Sequence, residues 1–219
     1  MSADNGTYVK PRLLDLFCGA GGAAMGYHRA GFDVVGVDIC PQPRYPFEFD
    51  QGDALTWPLD GYDAIHASPP CQDHSAIGGR DGRHGTGWML AATVQRVKAA
   101  GVPWIVENVV SPDVQMAGWW FTLCGSSFGL KVRRHRRFGS NVLMLAPGCR
   151  HDLQGTPLGV YGGGGHGPST RPAGGGGTKA RRQDYAEIMD MPWAKWPEIA
   201  QAIPPAYTAW IGAQLIEAL

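Results

Sequence analysis

RLLDLFCGAGGAAMGYHRAGFDVVGVD, residues 12–38, decides the fold. Its first six residues form a short apolar run that stops at a glycine cluster, CGAGG. GAAMGYHRAG then supplies helix-forming residues with Gly31 as the stop, and DVVGVD (33–38) is a β-branched strand ending on an acid. Strand, tight turn, helix and strand in that order make a βαβ unit, from which parallel sheets are built.

The alternation continues down the chain. After a proline-rich loop (41–46) and GDAL (52–55), YDAIHAS (62–68) reads as a strand running into Pro69, Pro70 and Cys71. Residues 72–87 hold five glycines and little apolar content, which predicts a mobile loop. WMLAATVQRVKAAG (88–101) has helical spacing and a glycine stop, and PWIVENVV (103–110) reads as a buried strand with Glu107 and Asn108 at its carboxyl end. Ligands of such sheets bind outside the carboxyl ends of the strands. Gly19 to Gly22, Asp38, Asp53, Cys71 and Glu107 all fall at such ends.

Beyond residue 110 the pattern loosens. RRHRRFGSNVLML (133–145) predicts a pair of strands. Residues 146–178 are rich in glycine and proline, with four-glycine runs at 162–165 and 174–177, and cannot build a core of their own. Order returns at RRQDYAEIMDM (181–191) and at PPAYTAWIGAQLIEAL (204–219), where Pro204 and Pro205 suit a helix start.

At 219 residues and 44% hydrophobic content the chain suits one soluble domain. No apolar run approaches the ~18 residues of a membrane span. The first residues, MSADNGTYVK, lack a basic-then-apolar leader, so the expected location is the cytoplasm. Five cysteines, an odd number without a Cys-x-x-Cys pair, point to reduced thiols. Cys149 and His151, with His166 further on, form at most a partial metal set, and no metal is expected. The zero net charge hides an asymmetry. Residues 1–120 carry 8 Lys/Arg against 13 Asp/Glu, net −5, and residues 121–219 carry 11 against 6, net +5. KVRRHRR (131–137) and KARR (179–182) hold most of the excess, which suits a polyanion partner but also a solvated basic face.

A glycine turn opening a helix lets backbone N–H groups approach a nucleotide, and an acid ending the next strand can accept from ribose hydroxyls. Gly19, Gly21, Gly22 and Asp38 fit that role, although the same glycines would also serve a tight turn. Their spacing is not Gly-x-Gly-x-x-Gly, which favours a smaller adenosine compound over a dinucleotide. Cys71, held behind two prolines at a strand end, has the placement of a nucleophile, whereas most cysteines are buried and inert. Glu107 tips the balance, because a carboxyl inside an apolar strand is costly unless paired or working.

DLFCGAGG, SPPCQ, ENV, the Arg-x-Arg of RRHRRF and IPPAYTAWIG, in that order, resemble the motifs of DNA cytosine-5 methyltransferases over nearly the whole chain. The resemblance implies an α/β, Rossmann-like S-adenosylmethionine-dependent methyltransferase fold with a mostly parallel sheet and a much reduced target-recognition region. It divides the chain into a catalytic and cofactor-binding core (1–138), a Gly-rich recognition region (139–180) and C-terminal helices returning to the core (181–219). Phe17, Gly19, Ala20, Gly21 and Gly22 would line the S-adenosylmethionine pocket, with Asp38 on the ribose and Ile39 beside it. Asp53 would take the adenine amino group, and Ala54 and Pro69 would also bind the cofactor. Cys71 would attack C6 of cytosine, Glu107 would hold or protonate N3, and Arg134 and Arg136 would bind the flipped base or its phosphate. Pro70, Gln72, Asn108, Arg133, Arg137, Arg181 and Arg182 would contact substrate. The closing helix would pack beside the first turn and complete the cofactor site.

Three departures stand out against the family pattern. Ser68 replaces the glycine usual before Pro-Pro-Cys, Val132 stands where the arginine motif usually has glutamine, and Gln201 stands where an asparagine usually precedes the last Pro-Pro. The short recognition region implies a short or relaxed target sequence, with phosphate contacts supplying most of the affinity. The implied partner is double-stranded DNA, bound by a monomer without an obligatory protein partner. RNA is the competing substrate, since one branch of the family methylates tRNA. A catalytically idle DNA-binding protein is the competing class, and the presence of Cys71, Glu107 and Asp38 speaks against it.

Overall fold

The computed structural model describes residues 9–70, 87–111, 114–160 and 178–219. The expected mobile loop up to residue 86, Cys71, Gln72, His166 and both four-glycine runs lie outside them. Seven strands form one sheet: β1 (Arg12–Leu16), β2 (Asp33–Asp38), β3 (Glu48–Gln51), β4 (Ala64–Ala67), β5 (Trp104–Val109), β6 (Trp119–Leu123) and β7 (Arg136–Ser140). Their order is β3-β2-β1-β4-β5-β7-β6. All pairings from β3 through β5 are parallel, and β7 is antiparallel to both neighbours. The order reverses between β1 and β4, and a crevice opens outside the strand ends at such a switch point.

Strand alternation gives the sheet two apolar faces. Leu13, Ala64 and Ile105 pack with α1 (Gly22–Ala30) and α4 (Pro205–Ile216), while Leu14, Leu16, Ile65, Ala67 and Val106 pack with α2 (Gly87–Ala99). α1 and α4 approach closely at Gly26, where a Cβ would fall 2.0 Å from Thr208 Oγ1 and 2.2 Å from the Pro205 carbonyl. Only the missing side chain permits that contact, and Thr208 Oγ1 uses it to donate to the Ala23 carbonyl at 2.8 Å. Pro205 opens α4 at a position where its missing N–H costs nothing.

A third apolar cluster, with Ala20, Val132, Val160, Tyr185, Met189, Met191 and Ile199, joins the first turn to the short helix α3 (Tyr185–Ile188) and the segment after it. Trp193 Nε1 donates to the Ala20 carbonyl at 2.8 Å. Residues 185–199 thus pack against Ala20 of the glycine turn.

One expectation needs correction, and two strands went unread. Residues 133–145 hold one strand, β7, because residues after Ser140 leave the sheet. β3 and β6 were not legible, being four and five residues long with aromatic and acidic residues in place of an aliphatic run. Two further short strands, β8 (Leu158–Gly159) and β9 (Thr178–Lys179), pair in parallel and flank the region 161–177.

Candidate active site

β1 ends at Leu16, and the chain then turns through left-handed backbone at Phe17 (φ 57°), Gly19 (φ 48°) and Gly21 (φ 78°). Glycine adopts this conformation freely, and Phe17 holds it at a cost typical of strained functional turns. Asp38 anchors the turn: its Oδ2 accepts from Gly19 N–H at 3.0 Å and its Oδ1 from Cys40 N–H at 2.9 Å. A carboxylate has about four acceptor sites, so two remain for a diol. Ile39, 68% exposed, places a bare apolar face beside it. Asp53 is exposed and accepts from Leu55 N–H at 2.9 Å, with Ala54 buried behind it. A backbone cradle, a carboxylate and an uncovered isoleucine thus meet at the carboxyl ends of β1 and β2, a donor and acceptor set suited to a nucleoside-like ligand.

Parallel register sets Ala67 beside Val106, so Ser68 lies next to Glu107 at the ends of β4 and β5. Glu107 is buried, and its Oε1 meets Arg136 Nε at 3.0 Å. Desolvation raises its pKa, opposed by Arg136, Arg134 and a hydrogen bond from Ser68. Behind Ser68 stands His66, fully buried, with Nε2 2.8 Å from the Ser68 hydroxyl and Nδ1 2.9 Å from the Tyr27 hydroxyl. Burial lowers the pKa of His66 to about 3, so the imidazole is neutral. Since Ser68 spends its one proton on Glu107, the order of donors is Tyr27 O–H to Nδ1, Nε2–H to Ser68, and Ser68 O–H to Glu107. The serine in place of glycine thus links the carboxyl to the core. Asn108 ties the other side, donating through Nδ2 to the Pro69 carbonyl at 3.3 Å and so bracing the Pro69-Pro70 turn that leads into Cys71.

The arginine motif is held from several directions. Tyr207 of α4 donates to the carbonyls of Arg133 and Arg134 at 3.0 and 2.9 Å. Arg134, itself at φ 40°, donates to the carbonyls of Val160 and Ala200 at 3.2 and 2.7 Å. Arg133 Nε donates to Gln154 Oε1 at 2.9 Å, and Gln154 Nε2 donates back to the Leu130 and Val132 carbonyls. With Val132 buried in the third cluster, Gln154 supplies polar bracing to this motif. Arg137 donates to the Val114 carbonyl at 2.9 Å and lies over Trp120, whose ring is exposed together with that of Trp119. Arg181 pairs with Asp184 on the surface, and Arg182 stacks on Trp196. Gln201 is exposed and outside this network.

Two buried groups escaped the sequence reading. Asp15, opposite His66 in the register, is fully buried, and desolvation raises its pKa to about 8, tempered by Tyr45, whose hydroxyl lies 3.5 Å away. An acid inside RLLDL carries the same signal that singled out Glu107. Cys18 is buried too, and desolvation pushes its thiol well above its ordinary range, which makes it inert. Cys149 and His151 do come together, but with Cys124 and His135 as their companions.

The sheet order, with an antiparallel strand inserted before the edge and a glycine turn at the switch point, defines a Rossmann-like methyltransferase fold. The methyltransferase Dnmt2 of S. pombe shares that fold, with a TM-score of 0.61 over 96% of this chain and 99% of the other at 13% identity. Residues 11–111 match the family model described as C-5 cytosine-specific DNA methylase. Two curated relatives from Herpetosiphon aurantiacus, the Type II methyltransferases M.HgiGI and M.HgiDI, are each 29% identical over 113 residues, 45% of this chain. The match spans 90% of M.HgiGI and only 37% of M.HgiDI. Among the described residues no helix is long and apolar enough to cross a membrane.

Proposed function

We propose that the chain transfers a methyl group from S-adenosylmethionine to C5 of cytosine in DNA, through a covalent bond between Cys71 and C6 of a flipped base. The observation that carries this reading is the buried Glu107, held by Arg136 and Ser68 beside the proline turn that leads into Cys71. The matched family and the two Type II methyltransferases favour DNA as the substrate.

Cytosine C5 is a poor nucleophile. Addition of the Cys71 thiolate at C6 converts the ring to an enamine-like nucleophile at C5, with charge developing toward N3. Glu107, its pKa raised by burial, is suited to hold a proton at N3 and offset that charge. S-adenosylmethionine, when bound, supplies an electrophilic methyl group on a sulfonium. Phe17, the Gly19 to Gly22 turn, Asp38, Ile39 and Asp53 hold and orient it. Loss of the C5 proton and departure of Cys71 then restore the aromatic ring.

Arg134 and Arg136 position the base and its phosphate, and the reduced region 139–180 reads the target. Its small size predicts a short or relaxed recognition sequence, and bisulfite sequencing that returned a strict six-base-pair site would contradict this.

The test of the activity is to incubate the chain with unmodified duplex DNA and S-adenosylmethionine, digest to nucleosides and identify the products by mass spectrometry. 5-Methylcytosine is expected, absent with Cys71→Ser and severely reduced with Glu107→Gln. Preferential methylation of tRNA in competition would reassign the substrate. Cofactor binding without any transfer would favour the idle DNA-binding reading.

A further inference from the structure

Cys124, His135, Cys149 and His151 come from three places in the chain, and their four ligand atoms lie within 4.8 Å of one another. The register explains one pair. Leu123 faces Arg136 across β6 and β7, so Cys124 and His135 are the next facing positions beyond the ladder. Cys149 and His151 sit on the segment that returns after β7, which is tied down by Ser127 Oγ donating to the Gly148 carbonyl at 2.8 Å and Arg150 N–H donating to Ser126 Oγ at 3.0 Å.

The imidazoles turn the same atom inward. His151 Nε2 lies 3.3 Å from Cys124 Sγ, and His135 Nε2 lies 3.4 Å from Cys149 Sγ. With zinc–sulfur and zinc–nitrogen bonds of ~2.3 and ~2.05 Å, a tetrahedron places sulfur and nitrogen about 3.5 Å apart. The two rings stand nearly perpendicular, at 85°, as they can when converging on one point from different sides. The donor set is two thiols and two imidazoles without a carboxylate, which selects zinc over calcium, magnesium or manganese. Ser126 Oγ, 3.1 Å from Cys124 Sγ, is placed to donate to that sulfur as an outer-shell partner.

We propose that these four residues bind one structural zinc ion, which staples residues 149–151 to the arginine motif. His135 lies between Arg134 and Arg136, and Arg136 meets Glu107, so the ion fixes the backbone from which both arginines extend. No open coordination position is left for catalysis, as expected of a structural site. This inference is independent of the methyl-transfer reading.

The full chain is purified from zinc-supplemented culture without chelator, and its metal is measured by inductively coupled plasma mass spectrometry. About one zinc per chain is expected. Cys149→Ala and His151→Ala, at surface-accessible positions, should each lose it while keeping the circular dichroism of the folded chain, and Cys40→Ser should keep it. Should the variants fail to fold, cobalt substitution of the unaltered chain decides, with intense tetrahedral d–d bands and a thiolate charge-transfer band expected. A folded chain that takes up neither zinc nor cobalt, or variants at Cys149 and His151 that both retain stoichiometric zinc, would overturn the proposal.

Discussion

Ser68→Ala tests the link between the Glu107 carboxyl and the core. The substitution removes one hydroxyl that accepts from His66 Nε2–H at 2.8 Å and donates to Glu107. His66 is fully buried, so water reaches the abandoned N–H poorly. A buried donor left without a partner costs about 1–3 kcal/mol. Glu107 keeps Arg136 at 3.0 Å, so its loss is smaller in stability, but its pKa should move further upward without the serine proton. Urea denaturation should therefore show a loss of about 1–3 kcal/mol, and carbon-13 titration of the glutamate should show the upward movement. Ser68→Thr, which keeps the hydroxyl, should recover most of both. A loss below about 0.5 kcal/mol, with the Glu107 titration unmoved, would refute the relay from Tyr27 to Glu107.

Asp15 makes stability fall with pH. Its folded pKa of about 8 lies above the ordinary 3.8, so the protonated form is favoured by folding. The stabilisation is complete below about pH 4 and is lost as pH rises through 8, by an upper limit of about 6 kcal/mol. Asp15→Asn should flatten the dependence of Tm on pH between 5 and 8.5, and an unchanged slope would contradict it. Arg136→Ala leaves Glu107 buried without its ion-pair partner and should cost about 3–5 kcal/mol in urea denaturation. Adding Glu107→Gln should restore part of that loss, and a double variant less stable than Arg136→Ala would disprove the pairing.

Periodicity made the βαβ unit, the strand around Glu107 and the closing helix legible, because each buries a continuous face. β3 and β6 stayed hidden because they sit toward the sheet's two edges and carry exposed residues such as Trp119 and Trp120. Glu107 was legible from its apolar surroundings, and Asp15 could have been found the same way. The role of Ser68 was not legible, since it rests on the register between β4 and β5. The zinc set was hidden for the same reason: Cys124 and His135 face each other only once β6 and β7 pair, and no spacing rule joins them to Cys149 and His151.

In the proposed reaction Cys71 bonds to C6 while C5 takes the methyl group. Duplex DNA carrying 5-fluorocytosine tests it most directly, because fluorine at C5 cannot be abstracted by base as a proton is, so the elimination that releases Cys71 is blocked. With S-adenosylmethionine present, a protein–DNA adduct stable to denaturing electrophoresis is expected, with the modified peptide containing Cys71. Turnover of unmodified DNA without any such adduct, or an adduct that persists in Cys71→Ser, would contradict the account.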